Sequence, residues 1–256
     1  MIKNSIRTAI IPVAGQGSRM SRLTKLYPKE LLPLADRPVL DHILSELEDA
    51  GIERTVLVSR PDKPLIAQYA TARGFPNPKA MTVEVVHQDA RPGNGGAILS
   101  GAEAVGDEPV LVVWGDEVFI PGTRTAEVLS AFASTGKPTI SLSRVDELSV
   151  RKCGIAEVED GPAPLTRVRA VLEKPSPMDT TSRLASVGGF ALTSELLHTL
   201  SKTPPSADGE IYLSTAIDNY AREHSVYGVE LSSAWYETGS IDGYIAAFQA
   251  VVNVSM

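Results

Sequence analysis

A chain of 256 residues, 43% hydrophobic and 21% charged, is long enough to bury a substantial core and has the balance of an ordinary globular protein. Its formal net charge of −7 argues against a broad nucleic-acid or membrane surface, so an anionic small molecule would need a locally positive site. A single cysteine, Cys153, excludes an internal disulfide and a cysteine-based zinc site, and no run approaches the ~18 apolar residues of a membrane helix.

The chain opens with "RTAIIPVA" (7–14), short and β-branched, which reads as a first strand and not as a secretory signal; a reduced, cytosolic protein is expected. Similar runs follow at 54–60, 82–88, 109–116 and 138–145, nearly continuous in apolar residues, as strands covered on both faces are. Between them lie helical patterns. "PVLDHILSELEDAG" runs from Pro38 to Gly51, "DKPLIAQYATARG" has Asp62 as N-cap and Gly74 beyond its end, and "TRTAEVLSAFASTG" ends at Gly136. This alternation predicts an α/β fold with a Rossmann-like, mostly parallel sheet flanked by helices.

The second half is less regular. "KCGIAEVED", "RVRAVLEKP" and "SVGGFALT" read as strands without long helices between them, which predicts a smaller antiparallel region. Helices resume at 194–202 and 209–223, and "SVYGVEL", "AWYETG" and a helix over 241–254 finish the chain. No linker, repeat, charged tail or low-complexity segment interrupts it, so a single domain over 1–256 is expected.

Ligands of open α/β sheets bind in the loops after the strands, and the first such loop begins "GQGSRMSRLTKLYPKELLP" (15–33). Gly15 and Gly17 allow a tight turn with backbone N–H groups close to an anion. Met20 stands where a dinucleotide fingerprint needs glycine, and no Gly-Lys-Ser/Thr of a Walker loop occurs. Arg19, Lys25 and Lys29 follow within fifteen residues, a set suited to polyphosphate, although cations there would also serve a solvated turn. Further along, Gln88 ends a strand before the glycine-rich "GNGG", Asp116 follows "LVVWG", and Glu173 and Lys174 precede Pro175. A carboxamide pairs with both donors and acceptors of a base edge, and a carboxylate such as Asp116 suits Mg²⁺. Each of these has a bland counterpart: a strand-end polar residue, an Asx turn and an exposed ion pair.

Residues 15–47, "GQGSRMSRLTKLYPKELLPLADRPVLDHILSEL", resemble the signature of sugar-1-phosphate nucleotidylyltransferases, most closely the UTP–glucose-1-phosphate uridylyltransferase branch, with G-x-G-[TS]-R, T-K and P-K-E-[ML]-L-P in gapless register. The resemblance extends over 10–248 and implies a nucleotide-binding part over about 1–145 and a sugar-phosphate part over about 146–256. It implies that Ala14, Gly15, Gly17, Gln88 and Gly93 bind the nucleotide, with Gln88 reading uracil or thymine. It also implies that Gly154, Glu173 and Gly188 line the sugar site, that Arg19, Lys29, Asp116 and Lys174 handle the reacting phosphates, and that Asp116 and Glu237 hold Mg²⁺. The partners so implied are a nucleoside triphosphate and a sugar or cyclitol 1-phosphate, with no nucleic acid or membrane, and a homo-oligomer as in other family members.

The sequence departs from the branch at Asn94 and Gly96 (usually leucine and histidine), Cys153 (tyrosine), Thr215 (aspartate) and Glu237 (aspartate). UTP and glucose 1-phosphate are the expected substrates. The departures leave open dTTP or GTP with an unusual sugar or cyclitol 1-phosphate, and a non-catalytic nucleotide-sugar-binding relative. A nicotinamide oxidoreductase is disfavoured by Met20.

Overall fold

The computed structural model describes residues 5–73, 81–159 and 164–255. Strand β1 (Thr8–Pro12) leads into 3₁₀ turns at Ser18–Met20 and Lys29–Leu31, then a short hairpin of β2 (Pro33–Leu34) and β3 (Arg37–Pro38). There follow α1 (Val39–Asp49), β4 (Arg54–Ser59), α2 (Pro64–Arg73), β5 (Thr82–His87), α3 (Gly93–Val105), β6 (Val110–Val112) and β7 (Glu117–Ile120). After them come α4 (Arg124–Thr135), β8 (Thr139–Arg144), α5 (Glu147–Val150), β9 (Gly154–Val158) and β10 (Leu165–Glu173). The chain closes with β11 (Leu184–Leu192), α6 (Ser194–Lys202), α7 (Leu213–Ala221), β12 (Val226–Glu230), β13 (Ala234–Glu237) and α8 (Ile241–Ser255).

Among the described residues, nine strands form one sheet in the order β5-β4-β1-β6-β11-β8-β12-β10-β9. The pairs β5–β4, β4–β1 and β1–β6 are parallel, as the apolar runs predicted. Alternate residues of these strands feed two cores: Ile10, Val56, Val58, Val110 and Val112 face α3, α6 and α7, whereas Ala9, Ile11, Leu57 and Leu111 face α1 and α4. Both faces of β1, β4 and β6 are buried, which is why these strands read as continuous rather than alternating, whereas the edge strand β5 is half-buried to exposed.

The antiparallel part is larger than expected. β11 runs antiparallel to β6 and β8, β10 antiparallel to β9 and β12, and β9 pairs back onto β11, so β11-β8-β12-β10-β9 curl into a ring at one end of the sheet. β8 pairs in parallel only with β12.

Helix α3 was not expected: the segment read as a glycine-rich turn is helical from Gly93. Its glycines answer to packing, since a Cβ at Gly95 would lie 2.6 Å from the Ile211 side chain and one at Gly101 2.6 Å from Ile10. Helix α7 begins at Leu213, not at residue 209. Residues 210–212 stay outside the helix, where the Ile211 carbonyl accepts from Gly95 N and the Ile211 amide donates to Pro92 O. Asp62 lies two residues before α2 with its carboxylate gripped by Arg60, and Gly74 lies outside the described residues. No helix of the described residues is long and apolar enough to cross a membrane.

Candidate active site

The loops after β1, β4, β5 and β6 gather at the carboxyl edge of the parallel strands, where side chains and free backbone amides can meet a ligand. The β1–β4 ladder continues through Val13 N to Val58 O at 2.8 Å, and the chain then leaves the sheet. Gly17 takes φ +65, which turns the loop into its 3₁₀ segment at no steric cost. Met20 is fully buried and anchors that segment, and Thr24 Oγ1 donates to Met20 O at 3.0 Å. Met20 therefore packs the loop without a third glycine.

The second 3₁₀ turn delivers Lys29, whose Nζ donates to Asp116 Oδ2 at 2.5 Å. Burial opposes the charge on Lys29, but Asp116 and Glu30 outweigh it and hold the amine above the ordinary lysine range. Glu30 points the other way, almost fully buried, towards Lys63 at 3.2 Å. Burial dominates this pair, raising the Glu30 carboxyl and lowering Lys63. Lys63 Nζ also donates to Val13 O at 2.7 Å, so it ties the root of the glycine loop to the segment that carries Lys29.

Two cavities meet at Asp116. One, of about 490 Å³, is lined by Ala14, Gly15, Lys29, Gln88, Gly93 and Glu210 among others; the second, of about 740 Å³, by Arg19, Cys153, Gly154, Glu173, Lys174 and Glu237. Asn94, Trp114 and Asp116 line both. Of the expected nucleotide residues, Ala14, Gly15, Gln88 and Gly93 line the smaller cavity; of the expected sugar and phosphate residues, Arg19, Gly154, Glu173 and Lys174 line the larger, Lys29 the smaller and Asp116 both. Gly17, Gly188, Lys25 and Thr215 line neither.

In the larger cavity Lys174 has φ +45, a left-handed conformation rare outside glycine, and this twist at the end of β10 lets Glu173 and Lys174 share one cavity instead of facing opposite ways. Lys174 Nζ lies 3.2 Å from Glu173 Oε1 and 4.8 Å from the centre of the Tyr212 ring. Desolvation works against its charge, and Glu173 more than offsets it. Glu173 Oε2 accepts from Ser214 Oγ at 2.6 Å, joining β10 to α7. Gly188 sits behind the site: its amide donates to Glu117 Oε2 at 2.6 Å, and an added Cβ would lie 2.8 Å from both that oxygen and Trp114 N. Burial and the neighbouring Asp116 push the Glu117 carboxyl up to about 8.

The β13–β7 pairing sets Glu237 opposite Glu117. Arg19 Nη2 reaches Glu237 Oε1 at 2.9 Å, and Ser240 Oγ donates to Glu237 Oε2 at 3.0 Å. Thr238 donates from both N (2.7 Å) and Oγ1 (2.9 Å) to the Asp116 carbonyl, so the two carboxylate-bearing segments are fixed to each other through backbone. A Cβ at Gly239 would meet both carboxylates, that of Asp116 at 2.7 Å. Expected ligands 121 positions apart are therefore brought together by tertiary contact alone.

Gln88 Nε2 donates to Arg91 O at 2.8 Å and Gly93 O at 3.2 Å, closing the turn before α3. Gly93 has φ +79, and a Cβ there would lie 2.5 Å from Ile211 O. Gly93→Ala is expected to lower thermal stability, measured by a thermal melt, because the carbonyl it strikes belongs to backbone; an unchanged melting temperature would contradict that packing. Asn94, a departure from the branch's pattern, has a structural role: its Oδ1 accepts from Leu213 N at 2.9 Å and joins the starts of α3 and α7 between the cavities. Trp114, 5.3 Å from Phe190, and Tyr212 were not expected at the site; an aromatic before a strand-end Gly-Asp is the one signal that could have marked Trp114.

The profile of the Nucleotidyl transferase family matches residues 8–254. The chain belongs to that family. It is 31% identical over 275 residues to the UTP–glucose-1-phosphate uridylyltransferase of Escherichia coli K12, covering 96% of this chain and 90% of the relative. A UDP-glucose pyrophosphorylase solved with UDP-glucose superposes with a TM-score of 0.89 at 26% identity, over 97% of this chain and 99% of the other. A UTP-bound UGPase from Acinetobacter baumannii gives 0.84 at 25%, over 96% and 93%. The nucleotidyl transferase is thus an enzyme whose relatives handle a nucleotide and a nucleotide sugar across this same fold.

Cys153 of the nucleotidyl transferase is half-buried in the larger cavity, and burial, followed by Glu117, Glu237 and Glu173, pushes its thiol up to about 12. A raised thiol pKa leaves little thiolate at pH 8, and thiolate is the reactive form. The folded protein is expected to resist iodoacetamide at pH 8 for hours, and to react promptly once unfolded in urea. Rapid alkylation of the folded protein, followed by mass spectrometry, would contradict that environment.

Proposed function

We propose that this nucleotidyl transferase makes UDP-glucose and pyrophosphate from UTP and glucose 1-phosphate. One observation carries the reading: Asp116 stands on the wall common to both cavities with Lys29 at 2.5 Å, so a nucleotide in one and a sugar phosphate in the other meet at that pair. The acceptor phosphate oxygen bonds to the α-phosphorus, the bond from the α-phosphorus to the α–β bridging oxygen breaks, and pyrophosphate leaves with that electron pair. Such a transfer depends on positioning and charge neutralisation more than on acid–base chemistry.

In this reading the amides of the glycine loop and Arg19 receive the leaving phosphates. Lys29 offsets charge where the two anions approach, and Lys174, tethered by Glu173 and Tyr212, orients the sugar phosphate. Glu173 and Ser214 offer acceptor and donor to sugar hydroxyls at the far wall. The division at about residue 145 belongs to this reading too, with residues 237–239 folding back onto Asp116.

Asp116 and Glu237 fit Mg²⁺. They are hard carboxylate donors converging at Gly239, and Mg²⁺ prefers such oxygen ligands while keeping water and phosphate as its other partners. Bound there, Mg²⁺ would supply electrostatic neutralisation of the phosphate oxygens. Lys29 and Arg19 occupy these carboxylates in the structure.

Pyrophosphate release across five nucleoside triphosphates and a panel of sugar and cyclitol 1-phosphates, with Mg²⁺ present, tests the reading. Turnover highest with UTP and glucose 1-phosphate is expected. No turnover with any pair would overturn it.

A further inference from the structure

Among the described residues Arg60 is the one arginine lining the smaller cavity, and neither the phosphate cradle nor the sugar site accounts for it. It follows β4 as Gln88 follows β5. The parallel register ends at Ser59↔His87, so Arg60 and Gln88 are the next residues on neighbouring strands, and Gln88 N still donates to Ser59 O at 2.8 Å. The phosphate end of this cavity is set by Gly15 and Lys29. Arg60, Gln88 and Gly93 also line this cavity, and the proposed function leaves them for the base.

The guanidinium is held in a fixed plane. Nε donates to Asp62 Oδ1 at 2.9 Å and Nη2 to Asp62 Oδ2 at 2.5 Å, a two-pronged grip that leaves both N–H groups of Nη1 without a protein partner among the described residues. Gln88 is committed in the opposite sense. Its Nε2 is engaged by Arg91 O and Gly93 O, so the group it has left to offer is the Oε1 acceptor. The two strand ends therefore present a donor beside an acceptor.

We infer that Arg60 is a base-specificity residue that, paired with Gln88, selects a base with a carbonyl next to a ring N–H. Uracil and thymine carry that pattern at O4 and N3–H, and guanine at O6 and N1–H. Cytosine and adenine present the inverse, an amino donor beside a bare ring nitrogen. Facing Arg60 and Gln88, they would leave a charged donor and a carbonyl unpaired, and unpaired polar groups in a binding site discriminate strongly. The inference rests on the nucleotide occupying the smaller cavity, as the proposed function has it.

The test compares kcat/KM for UTP and CTP in the wild type and in Arg60→Met, which keeps the apolar stem and loses the donors. Binding of UMP and CMP is measured by titration calorimetry alongside, without sugar phosphate. Arg60→Met is expected to lower kcat/KM for UTP and affinity for UMP by about 10- to 100-fold, the effect of one charged hydrogen bond. The CTP and CMP values should change less than about threefold, so the selectivity ratio collapses. Equal losses for both bases, as for a phosphate or ribose contact, would overturn the inference, as would no loss for either. An active wild type with an unchanged ratio in the variant sinks this inference alone. An inactive wild type that still prefers UMP through Arg60 supports it and sinks the proposed reaction.

Discussion

Asp116→Asn removes turnover by about 10³-fold or more while leaving the fold and nucleotide binding in place. The size of the effect follows from position: Asp116 lies on the wall of both cavities, accepts from Lys29 at 2.5 Å and converges with Glu237 at Gly239. An amide there keeps the shape but discards the charge that holds Lys29 and that suits a divalent cation. The fold survives because Thr238 bonds to the Asp116 carbonyl, a backbone atom the substitution does not touch. Steady-state pyrophosphate release beside a thermal melt checks both halves. A variant with near-normal kcat, or one that no longer melts cooperatively, contradicts this account of Asp116.

Arg124→Met costs about 3–5 kcal/mol of stability, because it strands a buried carboxylate. Arg124 is completely buried; its Nε and Nη2 donate to the two oxygens of Glu46 at 3.0 and 2.9 Å, and Thr125 adds two more donors to Oε1 at 2.8 and 2.7 Å. The guanidinium also lies 4.5 Å from the centre of the Phe119 ring. Arg124 Nη1 donates to Gly188 O at 3.3 Å, while Gly188 N donates to Glu117, so the buried pair of α1 and α4 supports the strand behind Asp116. The double variant Glu46→Leu/Arg124→Met should be more stable than Arg124→Met alone, since an apolar pair leaves no charge stranded. Urea unfolding of the four proteins of this cycle decides it, and strictly additive losses would show that the ion pair is not what the core depends on.

Much of the fold was legible because the central parallel strands β1, β4 and β6 are buried on both faces, as the two cores on either side of Ile10 and Ile11 show. Gly136, in the left-handed conformation at the end of α4, was equally plain, since few other residues tolerate that geometry. Helix α3 was hidden because Gly93, Gly95, Gly96 and Gly101 imitate a loop. They are small to admit Ile211, the Arg91 backbone and Ile10, neighbours that no local pattern reveals. The curled antiparallel strands were only partly legible, because β9 closing onto β11 is a long-range pairing without a local signature.

The site follows the same division. Gly15 and Asp116 announce themselves by their places after strands, where α/β sheets bind ligands, and Lys29 by its place among the cations that follow the glycine turn. The left-handed Lys174 and the meeting of Arg19 with Glu237 depend on tertiary structure. Arg60 reads in the sequence as the last residue of a strand, although a charged residue at the carboxyl end of a parallel strand is itself a signal. Asn94 carried no signal of its own, because its partner is a backbone amide on a distant helix.

The most direct test of the central claim follows the α-phosphorus. The protein is incubated with Mg²⁺, glucose 1-phosphate and UTP labelled at the α-phosphate, and the products are separated. The arrangement around Asp116 predicts the label in UDP-glucose, with one unlabelled pyrophosphate formed for each labelled sugar nucleotide. Label that stays in UTP, or appears as UMP with no sugar nucleotide, would contradict a transfer between the two cavities.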